Sequence, residues 1–266
     1  MLINGRFRLY SIFIIGLLLF SFSFNVKSDE TFYWVDDNSF APYIYSNEKS
    51  QPQGLFHEIV NEAFLRLGIN YKLNLYPWAR AQQMLKVGKA DGMVTIATSE
   101  RLKSFVASNA IFTESLKVFY VKDNVNKEKI KNISSLSELD QFSMVSYLGN
   151  GWAKENLQHV SVTWAPSYSN AIQMLAVNRA DIFLGLKHSV LFNINKLTQS
   201  SLKIKSRLNK IISTNLVLTK MPYSLLIRKD SKFANIIPQF NNVITEMKYD
   251  GTLDKIVEGF LEKNQV

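Results

Sequence analysis

Arg101 is the residue best suited to hold an anion. It follows Thr98-Ser99-Glu100, just past a segment that reads as a strand ending near Ile96. A planar guanidinium offers paired donors that match a carboxylate, and hydroxyls and free amides at a strand end add to them. The alternative is a surface arginine paired with Glu100 or Glu114. Trp78 and Arg80 fall in the first turn of a helix opened by Pro77. Amides of a first turn have no intrahelical partner and can take an anion. Trp78 could cover an apolar part of a ligand and Arg80 could reach it; equally, the tryptophan could pack in the core and the arginine be solvated. Asp36, Asp37, Asn38 and Tyr43 follow the first strand, where open α/β sheets bind ligands, and Tyr43 or Phe40 could stack on a bound molecule. An acid/base pair of Asp36 and Asp37 is disfavoured, because adjacent residues on an extended chain point opposite ways.

Other chemistries lack their residues. His57, His159 and His188 are isolated, with no HExxH and no Ser–His–Asp order. The Gly149-Asn150-Gly151 turn falls short of a phosphate-binding loop, and GxGxxG is absent, so no cofactor is implied. None of the 266 residues is cysteine. That excludes disulfides, thiolate metal sites and cysteine nucleophiles.

The start of the chain reads as an export signal. Arg6 and Arg8 precede the apolar stretch Ser11 to Phe22, and Val26-Lys27-Ser28 resembles a cleavage site. The apolar core is short of the ~20 residues that span a bilayer, although an uncleaved anchor is an alternative. No later segment is long and apolar enough to span. Without residues 1–28 the net charge falls from +9 to +6. The lysines cluster at 122–131 and 203–210 without interleaved aromatics, which reads as solvated surface and not as a nucleic-acid site.

These residues need a scaffold to position them. Thr31–Val35 is β-prone, Leu55 to Leu67 repeats at helical spacing with Gly68 as its cap, and Tyr71–Tyr76 alternates. Pro77 to Gly88 reads as a helix and Asp91–Ile96 as a strand. This β-α-β-α-β order argues for a mainly parallel sheet with helices on its faces. A second, weaker round follows. It comprises an extended run at Ser115–Val121, strands at 142–148, 160–163 and 181–184, helices from Trp152, from Ser167 or Ser169 to Asn178, and over 186–196, and an extended stretch at 202–208. Residues 122–135 read as a charged surface excursion. A strand at Tyr223–Arg228 and helices over about 232–247 and 252–261 close the chain. Two rounds joined near 112–121 and 216–228 suggest two lobes with a double crossover.

Four segments carry a family resemblance: FAPYIY (40–45) with GLFHEIVNEAFLRLG (54–68); YPWARAQQMLKVGKADGMVTIATSERLKSF (76–105); NAIQMLAVNRADIFLG (170–185); and PYSLLIRKDS with the later DGTLDKIVEGF. In order and spacing the chain resembles the periplasmic solute-binding proteins of family 3, the amino-acid-receptor type of ABC importers. The resemblance implies an α/β fold of the two-lobed, type II periplasmic-binding-protein class, with two crossover hinge strands closing on a ligand. The layout expected from it is a signal peptide at 1–28, a first lobe at 29–114 completed by 221–266, and a second lobe at 115–220.

In that family the arginine of T-x-x-R holds the ligand carboxylate, which matches Arg101. Hydroxyls and amides over Thr95 to Thr98, and amides of Gly149, Asn150 and Gly151, would assist. Gly185 or Leu186 stands where the family usually places an acid for the ligand's ammonium, and the stretch from Asp91 to Thr98 is shorter than usual. Both departures depart from a standard α-amino-acid site. Trp152 and Trp164 would add aromatic walls. The function implied is periplasmic capture of a small carboxylate-bearing or amino-acid-like ligand for an ABC permease, by a monomer that does no catalysis and binds no nucleic acid or metal. Alternatives are a sensory protein acting through a membrane receptor and a dehydratase-type enzyme, which would need an acid such as Glu114 or Glu100 at the leaving group.

Overall fold

The computed structural model describes residues 30–200 and 202–263. The expected signal segment at 1–28 lies outside them. Strand β1 (Thr31–Asp37) is aromatic and β-branched over its first five residues and is buried on both faces for most of its length. Prolines 42 and 52 bracket a segment that forms only a small antiparallel sheet of β2 (Ser39–Phe40), β3 (Ile44–Ser46) and β4 (Pro52–Gln53). Helix α1 (Leu55–Leu67) buries Leu55, Phe56, Ile59, Val60, Ala63 and Phe64 and ends at left-handed Gly68. Then come β5 (Asn70–Tyr76), α2 (Trp78–Lys86), β6 (Gly92–Ile96), the single-turn α3 (Ser99–Leu102), β7 (Phe105–Ala107) and β8 (Phe112–Val121).

The second round holds α4 (Lys127–Lys131), β9 (Met144–Tyr147), α5 (Gly151–Asn156), β10 (Val162–Ala165), α6 (Tyr168–Ala176), β11 (Ile182–Leu186), α7 (Lys187–Ser200), α8 (Leu202–Leu208) and β12 (Ile211–Ser213). Strand β13 (Thr219–Arg228) returns the chain, followed by α9 (Ile237–Tyr249) and α10 (Thr252–Lys263).

Two readings of the sequence change and a third is narrowed. Residues 202–208 are helical, not extended: Ile204 and Leu208, one turn apart, face the second-lobe core while Lys205 and Arg207 stay outside. The charged stretch 122–135 carries α4, which is anchored by buried Ile130 and followed by buried Ile133. The helix expected from about Lys232, or from later because of Pro238, takes the later start at Ile237, with Pro238 in its first turn, where its missing amide hydrogen costs nothing.

The sheet runs in the order β10-β9-β11-β8-β13-β6-β1-β5. Strands β5, β1 and β6 are parallel and form the first lobe; β10, β9 and β11 are parallel and form the second. The two long antiparallel strands pass between them. Thr219–Tyr223 of β13 pairs with β8, and Tyr223–Ile227 pairs with β6. The far half of β8 pairs with β11. This is the two-lobed α/β fold with two crossover strands. Tyr223 on the crossing strand packs on Phe56 at 4.9 Å between ring centroids, and Tyr43 stacks on Phe56 at 5.4 Å. Such aromatic pairs contribute about 0.5–1.5 kcal/mol each beyond their buried area. They seat the crossover firmly on the first lobe.

Candidate ligand-binding cleft

The carboxyl ends of β1, β6, β9 and β11 all open on one cavity between the lobes, of about 60 Å³, with room for the centres of a few water-sized atoms. The first lobe contributes Asp36, Asp37, Phe40, Trp78, Thr95 and Arg101. The second contributes Tyr147, the 149–153 turn, Tyr168 and Leu184 to Leu186, and Met221 and Tyr223 of the crossover close the floor.

Arg101 sits where α3 turns away from the end of β6. Thr98 caps that turn, its Oγ1 accepting from the Arg101 amide at 3.3 Å. The guanidinium donates to the Ile96 carbonyl at 2.9 Å and to Gln82 Oε1 at 3.0 Å, and lies 5.5 Å from the centre of the Trp78 ring. It pairs with neither Glu100 nor Glu114. Glu100 pairs with Lys103 on the surface, and Glu114 accepts from the Tyr43 hydroxyl at 2.8 Å and pairs with His188 Nδ1 at 2.9 Å. Burial lowers the Arg101 pKa. An anion arriving in the cavity would restore the solvation that burial removed.

The two aspartates play different parts. Asp36 is consumed by its own lobe: Oδ2 accepts from Trp34 Nε1 and the Val94 amide, and Oδ1 from the Asp37 amide, each at 2.9 Å. Burial outweighs those donors and raises its pKa to about 7. Asp37 directs only Oδ1 inward, to the Ser39 amide at 2.8 Å and hydroxyl at 2.9 Å. Among the described residues its Oδ2 takes no hydrogen bond, and burial raises the carboxyl to about 6. Thr95, Tyr147 and Tyr223, each with a hydroxyl, also line the cavity.

The lobes touch across the cleft. Trp78 Nε1 donates to the Gly149 carbonyl at 2.8 Å, and Gln82 Nε2 reaches the same oxygen at 3.3 Å. On the opposite flank Ser189 Oγ donates to the Ala41 carbonyl at 2.8 Å, and Phe40 meets Tyr168 at 5.9 Å between ring centroids.

Of the residues expected from the sequence, Arg101, Trp78, Phe40, Thr95, Gly149, Asn150, Gly151 and Trp152 line this cavity. Tyr43, Arg80 and Thr98 do not. Tyr43 is fully buried among first-lobe aromatics, Arg80 is exposed over the Tyr76 ring at 4.8 Å, and Thr98 acts through the cap beneath Arg101. Trp164 also stays off the lining, its ring under the Lys154 ammonium at 5.8 Å. Sequence reasoning missed Gln82, Tyr147, Tyr168 and Tyr223. Only Gln82 left a signal, its i+4 spacing from Trp78 on a helix.

A two-lobed α/β protein with polar groups converging at its hinged cleft is a ligand-binding protein in form. Residues 34–263 match the bacterial extracellular solute-binding proteins, family 3, and the chain belongs to that family. No curated protein matches it in sequence. Among solved structures it is similar to a histidine kinase sensor domain with similarity to periplasmic binding proteins: TM-score 0.73, 15% identity, covering 87% of this chain and 96% of that one. It is also similar to an amino acid ABC transporter substrate-binding protein from Streptococcus pneumoniae bound to L-arginine: TM-score 0.67, 22% identity, covering 89% and 97%. A third is an ancestral amino acid-binding protein, a precursor of cyclohexadienyl dehydratase: TM-score 0.66, 22% identity, covering 86% and 95%. At these identities the likeness is one of fold.

Proposed function

We propose that the chain captures a small amino-acid-like zwitterion in the periplasm and delivers it to an ABC permease. The observation that carries this reading is the opposed charge in one cavity: the Arg101 guanidinium and the unoccupied Oδ2 of Asp37. Arg101 clamps the ligand carboxylate. Asp37 receives a cationic group, taking over the charge that Gly185 and Leu186 leave missing on the second lobe. Phe40, Trp78 and Trp152 cover the apolar part, and Thr95, Tyr147 and Tyr223 bond its remaining polar atoms. A ligand lacking those atoms would leave buried groups unpaired, which is the source of selectivity. The lobe boundaries proposed for this action lie at 114/115 and 220/221, within the paired stretch of β8 and β13.

Capture is reversible and breaks no bond. Glu114 and Glu100, the acids a dehydratase would have used, lie outside the cavity lining. Hand-over to a membrane sensor would use the same capture step, and the sensor-domain likeness is one of fold. The deciding experiment is native mass spectrometry of gently purified protein, followed by calorimetric titration of the stripped protein with L-arginine, L-glutamine and neutral organic acids. Binding of amino acids with release of a discrete co-purified mass is expected. Preference for acids without an amino group would overturn the zwitterion reading.

A further inference from the structure

Trp78 and Gln82 stand one turn apart on α2 and send both their side-chain donors to one acceptor, the Gly149 carbonyl of the other lobe. Both also hold Arg101, Trp78 by its ring face and Gln82 by Oε1. The Gln82 amide can be oriented only one way. Turned over, it would set its NH₂ against the guanidinium and its oxygen against a carbonyl. Gly149 leaves no space for a side chain here: a Cβ would lie 2.5 Å from Gln82 Nε2 and 2.6 Å from Trp78 Cδ1. A second, wider groove of about 520 Å³ is lined by Gln82 and Arg101, and of the two Arg101 also lines the cleft.

We propose that Gln82 is a positioning residue that couples the Arg101 clamp to lobe closure, by bonding the guanidinium with its oxygen and the second-lobe Gly149 carbonyl with its nitrogen. Docking of Gly149 fixes the amide, and the fixed amide holds the guanidinium against the cavity. Opening the lobes removes the acceptor and frees Gln82 to turn, which loosens the clamp. Ligand release and opening are thereby one event. The coupling to ligand rests on the proposed role of Arg101; the latch between the lobes does not.

The absence of native cysteine allows spin labels at Lys89→Cys in the first lobe and Lys129→Cys in the second, both exposed. Electron-spin distance measurements on the ligand-free full chain then report lobe separation, and calorimetry with L-arginine reports binding. Gln82→Glu keeps an acceptor for Arg101 but removes the donor to Gly149, and Gln82→Met removes both. Trp78→Phe removes the companion donor and keeps a ring over Arg101. Each variant is expected to shift the closed-to-open ratio toward open by about fivefold, the worth of one ordinary hydrogen bond. Gln82→Met should also weaken L-arginine binding more than Gln82→Glu does. Distances unchanged in both Gln82 variants would overturn the latch. Weaker binding at unchanged distances would overturn the coupling and leave Gln82 a support for Arg101 alone. If neither L-arginine nor L-glutamine binds the parent protein while neutral organic acids do, the zwitterion reading fails, and the distance data still decide the latch.

Discussion

The two walls of the cleft differ in kind. Among the described residues, the charged side chains that line it, Asp36, Asp37 and Arg101, all come from the first lobe. The second-lobe wall is uncharged, built of Tyr147, the glycine-rich turn, Trp152, Tyr168 and the apolar end of β11. The first lobe therefore carries the charge beside the rings of Phe40 and Trp78, and the second supplies an uncharged face over it. Covering strengthens what the first lobe has begun, because opposite charges attract more strongly once water has left. The charge lies on one wall, so substitutions on the two walls should fail differently.

The largest effect is expected for Arg101→Ala. Truncating one member of a buried charge pair costs about 2–5 kcal/mol, so carboxylate ligands should bind well over tenfold more weakly by calorimetry. Unchanged affinity would remove Arg101 as the clamp and break the contrast between walls. Asp37→Asn comes next. The amide can keep the Ser39 contacts through its oxygen, so the fold should persist while cationic ligands lose more than tenfold and neutral ones little. A uniform loss across both would show that Asp37 shapes the lobe and does not read charge.

Trp78→Ala should weaken ligands with an apolar side more than small polar ones; an equal loss would assign the ring to folding. The smallest effect is expected on the second wall. Tyr147→Phe removes one hydroxyl from a cavity-lining residue, and should cost about 1 kcal/mol in binding at an unchanged melting temperature. A loss as large as that of Arg101→Ala would erase the division of labour.

The acids of the first wall also set a pH signature. Asp36 and Asp37 titrate at about 7 and about 6 in the folded protein, above their ordinary 3.8. The folded state then binds more protons than the unfolded one between these limits. The contribution is fully present below pH ~4 and is lost as pH rises through about 6 and 7. Chemical denaturation across pH 4–8 should show this fall, and Asp37→Asn should remove the part that falls between about 4 and 6. An identical profile in the variant would mean that Asp37 is already ionised in the folded state well below that range.

Much of the scaffold was legible in one dimension. The periodicity of residues 55–67 and the turn signals at Pro77 and Gly88 place α1 and α2 within about a residue, because burial of one face and local turn chemistry act over a few positions. The extended reading of 202–208 failed because a stretch with two apolar residues one turn apart takes its form from the core it meets. Arg101 and Trp78 were visible as residue types suited to a ligand, and the 149–151 turn only through the family resemblance. The choice between Tyr43 and Phe40 was not. The two sit three residues apart, and only the packing of Tyr43 onto Phe56 and its bond to Glu114 takes it away from the cavity.

The amino-acid sequence by itself determined the order of strands and helices, the two-lobed class through its ordered segments, and the guanidinium at the end of β6. Tertiary structure alone decided that Asp36 is bonded through both its oxygens, and that both Trp78 and Gln82 find Gly149. The reason is distance along the chain: those donors lie 71 and 67 residues from their acceptor, and contacts that far apart are set by how sheets pair and lobes close, which no local pattern encodes.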